Sequence, residues 1–208
     1  MDTTPGPQVI RLRSPEELQH FTKQDHILIV DPFHSLSSAT SRRLNLDPLR
    51  QMFSWADTRE LVKSLINDDA ACRSFKSAAD WLTVCLWLYQ RSSNTLEDFS
   101  DWLEANNTRP LCDLFSHLRT DREVAVAISQ FLSLVSDETM DIEGGRTVIA
   151  WKLDTLAKIP TPNIETDLEI VQNINAIGVW EPNDIPELPA IYVKALQFVV
   201  THHHRYSV

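Results

Sequence analysis

The sequence predicts a mainly α-helical protein, and three observations lead to that prediction. The 208 residues include only four glycines, too few for the many tight turns of an all-β architecture. Segment 78–91 is apolar almost all round, which is typical of a helix buried on every side. Helix-start patterns also recur, in which a capping side chain precedes a glutamate by three residues. They are Ser14-Pro15-Glu16-Glu17, Asp57-Thr58-Arg59-Glu60 and Thr120-Asp121-Arg122-Glu123.

A single helical domain spanning residues 8–204 and packed around helix 78–91 is the simplest organisation for a chain of this length. The residues before it, 1–7, are polar and contain two prolines, so they are predicted to be a disordered tail. Residues 205–208 are predicted to be a flexible C-terminal tail.

The first thirty residues predict a short β-α-β element. Segment 9–12 is a strand candidate, and Ser14 then caps a helix that runs to about Lys23. Segment 26–30 (HILIV) is a continuous apolar run, typical of a buried strand, and the two strands are expected to pair in parallel. This opening resembles the first β-α-β unit of thioredoxin-type domains. However, Phe33-His34-Ser35-Leu36 stands where that family carries C-x-x-C, and we assign no family.

The rest of the chain predicts helices in order, separated by polar or proline-containing loops. Asn163 is expected to cap an amphipathic helix that ends at Gly178, a usual C-terminal stop. A last, nearly continuous apolar helix is expected from Ala190 to His203. The predicted helices of this part span 47–55, 57–66, 78–91, 96–105, 109–119, 120–135, 146–159, 163–178 and 190–203.

Charge is unevenly distributed along the chain, whose formal net charge is −10. Residues 92–145 carry 11 acidic and 3 basic side chains, which argues against nonspecific nucleic-acid binding because that needs a basic surface. Helix 96–105 is amphipathic, with its acidic side chains away from the apolar face. We predict that these side chains bind a protein partner with a basic surface. They are Glu97, Asp98, Asp101 and Glu104.

Sequence signatures of catalysis are absent. The chain has no H-E-x-x-H, no phosphate-binding glycine loop and no G-x-S-x-G, so we predict no bound metal and no cofactor. The best catalytic candidates are Asp31, His34 and Ser35, because the loop after a parallel strand is a common place for ligands. The three cysteines form no close pair, and buried free thiols are expected rather than disulfides.

These observations favour a protein-protein interaction or regulatory module with an acidic surface. Two alternatives stay open: an enzyme or small-molecule-binding protein whose site carries no motif, and a structural subunit of a larger assembly. Catalytic activity is therefore an open question, leaning towards none, and an oligomer is compatible with the sequence. No signal peptide pattern and no apolar run of membrane-spanning length is found, so an intracellular location, cytoplasmic or nuclear, is expected.

Overall fold

The computed structural model describes residues 7–24, 26–32, 36, 47–51, 53–66, 78–135, 145–159, 174–181 and 188–206, with backbone alone for 188, 189 and 203–206. The chain forms two compact units. The helical unit is Leu49–Lys158, and the sheet unit combines Met1–Pro48 with Ile159–Val208. That residues 8–204 make up a single mainly helical domain stays a prediction.

Eight helices and three short strands make up the described part of the chain, which confirms a mainly α architecture with an N-terminal strand-helix-strand element. No helix among these residues is long and apolar enough to cross a membrane. The elements in order are β1 (Gln8–Leu12), α1 (Pro15–Phe21), β2 (Ile27–Val30), α2 (Trp55–Ile66), α3 (Ala78–Tyr89), α4 (Leu96–Glu104), α5 (Arg109–Ser116), α6 (Arg122–Val135), α7 (Gly145–Ala157), β3 (Ala176–Trp180) and α8 (Leu188–Tyr206).

Helix α3 is the centre of the helical unit, as its apolar sequence predicts. Every residue from Trp81 to Tyr89 is buried, and Trp81 and Trp87 are only 6% and 5% exposed. Helices α2, α6 and α7 all pack against it, so its side chains meet apolar neighbours in several directions. The burial of both tryptophans is therefore confirmed.

The residues before α2 differ from the prediction. A helix over 47–55 is wrong, since residues 48–51 form turns and α2 begins at Trp55. Two arginine side chains stabilise this segment in place of helical hydrogen bonds. One donates to a backbone carbonyl of the segment, and the other extends from the segment to an aromatic ring of α3. Arg91 donates to the carbonyl of Phe53 at 2.6 Å, and the Arg50 guanidinium lies 4.2 Å from the ring centre of Tyr89.

The strands form a parallel sheet in the order β1-β3-β2. Thus β1 and β2 do not pair with each other as expected, because β3 lies between them. The predicted helix ending at Gly178 is also wrong in its last turn, since Ala176–Trp180 is strand β3. Residues 163–173, which make up most of that predicted helix, lie outside the described residues.

Close packing explains the glycine in the middle of β3. A Cβ at Gly178 would lie 2.6 Å from Leu12 Cδ1 and 2.7 Å from Phe21 Cε1. Phe21 belongs to α1, which covers this face of the sheet. Its side chain packs in one apolar cluster with Leu12, Ile29 and Ala176 of the three strands. Gly178 therefore serves close approach between helix and sheet, and not helix termination.

The other face of the sheet is buried too. Alternation along the strands places Leu28, Val30, Ile177 and Val179 on the side away from α1, and all four are buried. Helix α8 contacts β1 and β3 and buries its own apolar residues, Tyr192, Ala195, Leu196, Val199 and Val200. It extends to Tyr206, three residues beyond the predicted end at His203.

Candidate functional site

A half-open groove of about 320 Å³ lies on the helical unit between α2, α3 and α6. Its floor belongs to the core, because Trp81 is 6% exposed and Phe131 only 1%, with ring centres 6.4 Å apart. A floor built from packed core side chains is rigid. The apolar side chains that line the groove are Trp55, Trp81, Val84, Val126, Ala127, Phe131 and Leu134.

Three charged side chains form the rim of this groove. The guanidinium of Arg59, on α2, lies 3.6 Å from a carboxylate oxygen of Asp80, on α3, and 3.6 Å from one of Glu123, on α6. All three side chains are substantially exposed, and exposed ion pairs contribute little to stability. A bound charged group could therefore rearrange them at low cost. With two carboxylates and one guanidinium, the rim is negative by one charge.

Val126 is a large apolar residue of α6 that lies outside the buried face of the helix. The side chain is 48% exposed at the groove, while Val124, Ile128 and Phe131 form the buried stripe of the same helix. On its other side, Val126 also lines a shallow depression whose remaining lining residues all come from α6. Because Ala125, Ser129 and Ser133 are small and four residues apart, another helix could approach this face closely.

The predicted partner-binding residues lie together on α4, but they do not have one role. Glu97, Asp101 and Glu104 are exposed, and their spacing of four and three residues places them on one stripe. No cation lies within ion-pair distance of these three among the described residues. We call Glu97, Asp101 and Glu104 the acidic stripe.

Asp98 instead holds the start of α4. Its carboxylate accepts a hydrogen bond from the backbone N–H of Thr95 at 2.7 Å. In return, the backbone N–H of Asp98 donates to the Thr95 hydroxyl at 3.2 Å, which completes a capping box. The side chain is partly buried and its carboxylate is already hydrogen-bonded, unlike the exposed carboxylates of the acidic stripe, and a partner-binding role for Asp98 stays a prediction.

Four basic side chains of the helical unit are buried or half-buried. Arg50 donates to the carbonyls of Ser92 and Asn94 at 2.8 Å, and Arg91 lies 4.0 Å from the ring centre of Trp87. Arg146 and Lys152 are buried, at 9% and 5% exposure. Among the described residues of this unit, Arg146 and Lys152 are buried away from the surface, whereas the acidic stripe faces solvent.

The catalytic candidates after β2 are only partly described. Asp31 is 4% exposed, and its carboxylate accepts a hydrogen bond from the backbone N–H of Leu36 at 2.6 Å. His34 and Ser35 lie outside the described residues. A catalytic role for these three therefore stays a prediction.

The cysteines and metal ligands suggest no further chemistry in the described residues. Burial raises the pKa of the Cys85 thiol well above its ordinary value, so it stays protonated and unreactive. Cys112 is exposed, contrary to the expectation of buried thiols, because it lies on the solvent side of α5. Cys72 lies outside the described residues, and within them no three side chains are grouped to hold a metal ion.

The groove was not predicted from the sequence, although one signal for it is visible there. Val126 is an apolar residue outside the helical stripe that the other apolar residues of α6 follow. In contrast, Trp55 and Arg59 line the groove only because α2 packs against α3. That packing is tertiary structure, which local sequence patterns do not reveal.

The comparisons with known proteins give no assignment. No protein-family model, no curated protein and no solved structure matches this chain.

Proposed function

We propose that the helical unit is a protein-interaction module whose groove takes the apolar ridge of a basic amphipathic helix from a partner protein. The observation that carries this proposal is Val126, a large apolar side chain half exposed beside a floor of buried tryptophan and phenylalanine. Apolar area left exposed beside a preformed groove favours an apolar occupant.

The distribution of polar groups favours a helix over a small molecule. Small-molecule sites place a few polar groups inside the pocket, where they orient the ligand. Here the charged groups Arg59, Asp80 and Glu123 lie on the rim, and the floor is apolar. The small side chains of α6 on the other side of Val126 line the neighbouring depression, and they would let the backbone of a helix that covers Val126 approach α6 closely. An amphipathic helix has an apolar ridge, which would match the apolar floor, and charged flanks, which would match the charged rim.

Charge supports a basic partner. The rim is negative by one charge, and the acidic stripe adds three exposed carboxylates on α4 of the same unit. Opposite charge on the partner would speed association, and this effect would weaken as salt screens it. The groove would then provide most of the affinity for the partner helix, and the acidic stripe would increase the rate at which the partner associates.

A selection experiment tests the proposal with the full chain. A phage library of helical peptides is selected for binding, and the enriched peptides are measured against three proteins. These are the parent chain, Val126→Glu at the groove, and Thr147→Glu, which adds the same charge at an exposed position of α7. We expect basic amphipathic peptides whose affinity falls about tenfold or more with Val126→Glu, because a charge would be desolvated in the groove, and is unchanged with Thr147→Glu.

Charge reversal tests the electrostatic part separately. Asp101→Lys with Glu104→Lys should lower the association rate of the same peptides and flatten its dependence on salt. The proposal is wrong if no basic amphipathic peptide is enriched, or if the enriched peptides bind Val126→Glu as tightly as the parent.

A further inference from the structure

Two arginines of the sheet unit converge on one buried carboxylate at an edge of the sheet. Because the three strands are parallel, their carboxyl ends lie at the same edge. Arg13 follows β1, Glu181 follows β3, and Arg11, two residues before Arg13, has its side chain on the same face of the sheet. Arg11 donates to Glu181 from both Nε and Nη2, and Arg13 Nε donates to Glu181 Oε2 at 2.9 Å.

This cluster keeps a positive charge and spare hydrogen-bond donors. The Glu181 side chain is 8% exposed, whereas those of Arg11 and Arg13 are 34% and 58% exposed. Each guanidinium has five N–H donors, and three hydrogen bonds to Glu181 leave most of them without a partner among the described residues. Two positive charges against one negative charge leave the cluster at +1.

Glu181 is held in its charged form. Burial by itself would raise the pKa of this carboxyl, but the hydrogen bonds and charges of Arg11 and Arg13 outweigh burial and hold its pKa below the ordinary value. A carboxylate that stays ionised fixes both guanidinium groups in place. The arginines are therefore preorganised, which lowers the entropic cost of binding an anion.

Two other carboxylates of the sheet unit accept backbone hydrogen bonds in the described residues. Glu17 accepts a hydrogen bond from the backbone N–H of Arg13 at 2.6 Å, and it lies on α1. The carboxylate of Asp31, which follows β2, accepts a hydrogen bond from the backbone N–H of Leu36 at 2.6 Å. Neither carboxylate lies within ion-pair distance of Arg11 or Arg13, whose ion pairs within the described residues are with Glu181.

We propose that Arg11 and Arg13 form a binding site for a phosphate group, with Glu181 as the positioning residue. The planar guanidinium fork matches the oxygens of a phosphate and binds them through two parallel hydrogen bonds. The carboxyl edge of a parallel sheet is also where α/β units commonly bind ligands. This site belongs to the sheet unit and does not depend on the groove of the helical unit.

Titration of the full chain with defined anions tests this site. The probes are inorganic phosphate, O-phosphoserine, and sodium chloride at matched ionic strength, and the readout is the NMR signals of the arginine Nε–H groups. We expect saturable shifts at Arg11 and Arg13 with the phosphate compounds and not with chloride. Tighter binding of inorganic phosphate would identify a free ion as ligand, and tighter binding of O-phosphoserine would identify a phosphate ester.

Variants separate a binding site from a merely structural ion pair. Arg13→Gln should weaken phosphate binding about tenfold, whereas Arg109→Gln, at an exposed arginine of α5, should leave it unchanged. Arg13→Lys, which keeps the charge but not the planar fork, should bind with intermediate affinity. Shifts that are linear and equal in chloride, or unchanged phosphate affinity in a folded Arg13→Gln protein, would show that the cluster only holds the sheet edge together.

Discussion

The helical unit and the sheet unit differ in how far apart in sequence their stabilising partners are. The helical unit is one continuous segment, Leu49–Lys158, and its helix starts are capped locally, as by Thr95 and Asp98. The sheet unit instead joins two distant parts of the chain. Its ion pairs between Arg11 or Arg13 and Glu181 span 170 and 168 residues. Local sequence therefore specifies much of the first unit and much less of the second.

This difference also bears on folding. Contacts that are close in sequence form at a small entropic cost, whereas joining distant segments must overcome the entropy of a long loop. We therefore expect the helical unit to form its core before the sheet unit does. The sheet unit needs β1 and β3 together, because β3 is the central strand to which both other strands are bonded.

The largest expected effect is in the core of the helical unit. Trp87 is 5% exposed and packs edge-on against Trp55, with ring centres 6.2 Å apart. We expect Trp87→Ala to lower the free energy of unfolding by about 3–5 kcal/mol, because it leaves a large cavity. Chemical denaturation followed by circular dichroism measures this change.

A second tryptophan provides the matched control. Trp151, on α7, is 52% exposed, and Trp151→Ala removes the same side chain without a cavity. We expect a change within about 0.5 kcal/mol. Similar losses for the two variants would contradict the assignment of α3 as the centre of this unit.

The next largest effect is expected in the sheet unit, at Gly178. An added methyl group would overlap Leu12 and Phe21, so Gly178→Ala should lower the free energy of unfolding by about 1–3 kcal/mol. Phe21→Leu should partly relieve the overlap, and a double-mutant cycle by urea denaturation measures that coupling. Additive effects of the two substitutions would mean that Phe21 does not restrict residue 178.

The sequence predicted the helical unit well, for a physical reason. Its helices from α3 to α7 begin and end within three residues of the predicted bounds, because caps and a buried stripe are local signals. Strand β3 was read as the end of a helix, because Ile177 also fits a helical spacing and glycine is a usual helix stop. Only the approach of Phe21 and the pairing with two other strands reveal why Gly178 is there.

The same contrast holds for the candidate sites. The acidic stripe was predicted because its members are close in sequence and on one face of one helix. The groove and the arginine cluster were not, since each is assembled from separate elements. Asp98 was grouped with these residues because it is acidic and close to them in sequence. Its carboxylate instead accepts a hydrogen bond in a capping box, which a count of charges does not reveal.

A smaller effect, visible through pH, is expected for Glu181. Its pKa is lower in the folded protein than in the unfolded chain, so the stability it contributes is present above the unfolded pKa and is lost as pH falls through the folded pKa. Glu181→Gln should therefore be less stable than the parent at pH 7, and the difference should narrow towards pH 3. Urea denaturation across this range measures it, with exposed Glu16→Gln as control. A difference that does not vary with pH would contradict the ionised pair.

The smallest effects compare two acidic residues of α4 that look alike in the sequence. Asp98→Ala removes one half of the capping box and a favourable charge in the first turn, so we expect a loss of about 0.5–1 kcal/mol in the free energy of unfolding. Asp101→Ala removes an exposed carboxylate four residues after Glu97, and this like-charge pair is mildly destabilising. The change should lie within about 0.5 kcal/mol, with a slight gain favoured.

Association should rank the same two residues in the opposite order. For a basic peptide selected against the groove, Asp101→Ala should lower the association rate, while Asp98→Ala, measured where the protein is fully folded, should change it less. The carboxylate of Asp98 is engaged by the Thr95 backbone, whereas that of Asp101 is exposed to solvent. Equal effects of the two substitutions on association would mean that net charge alone steers the partner, and that the acidic stripe has no special place on this surface.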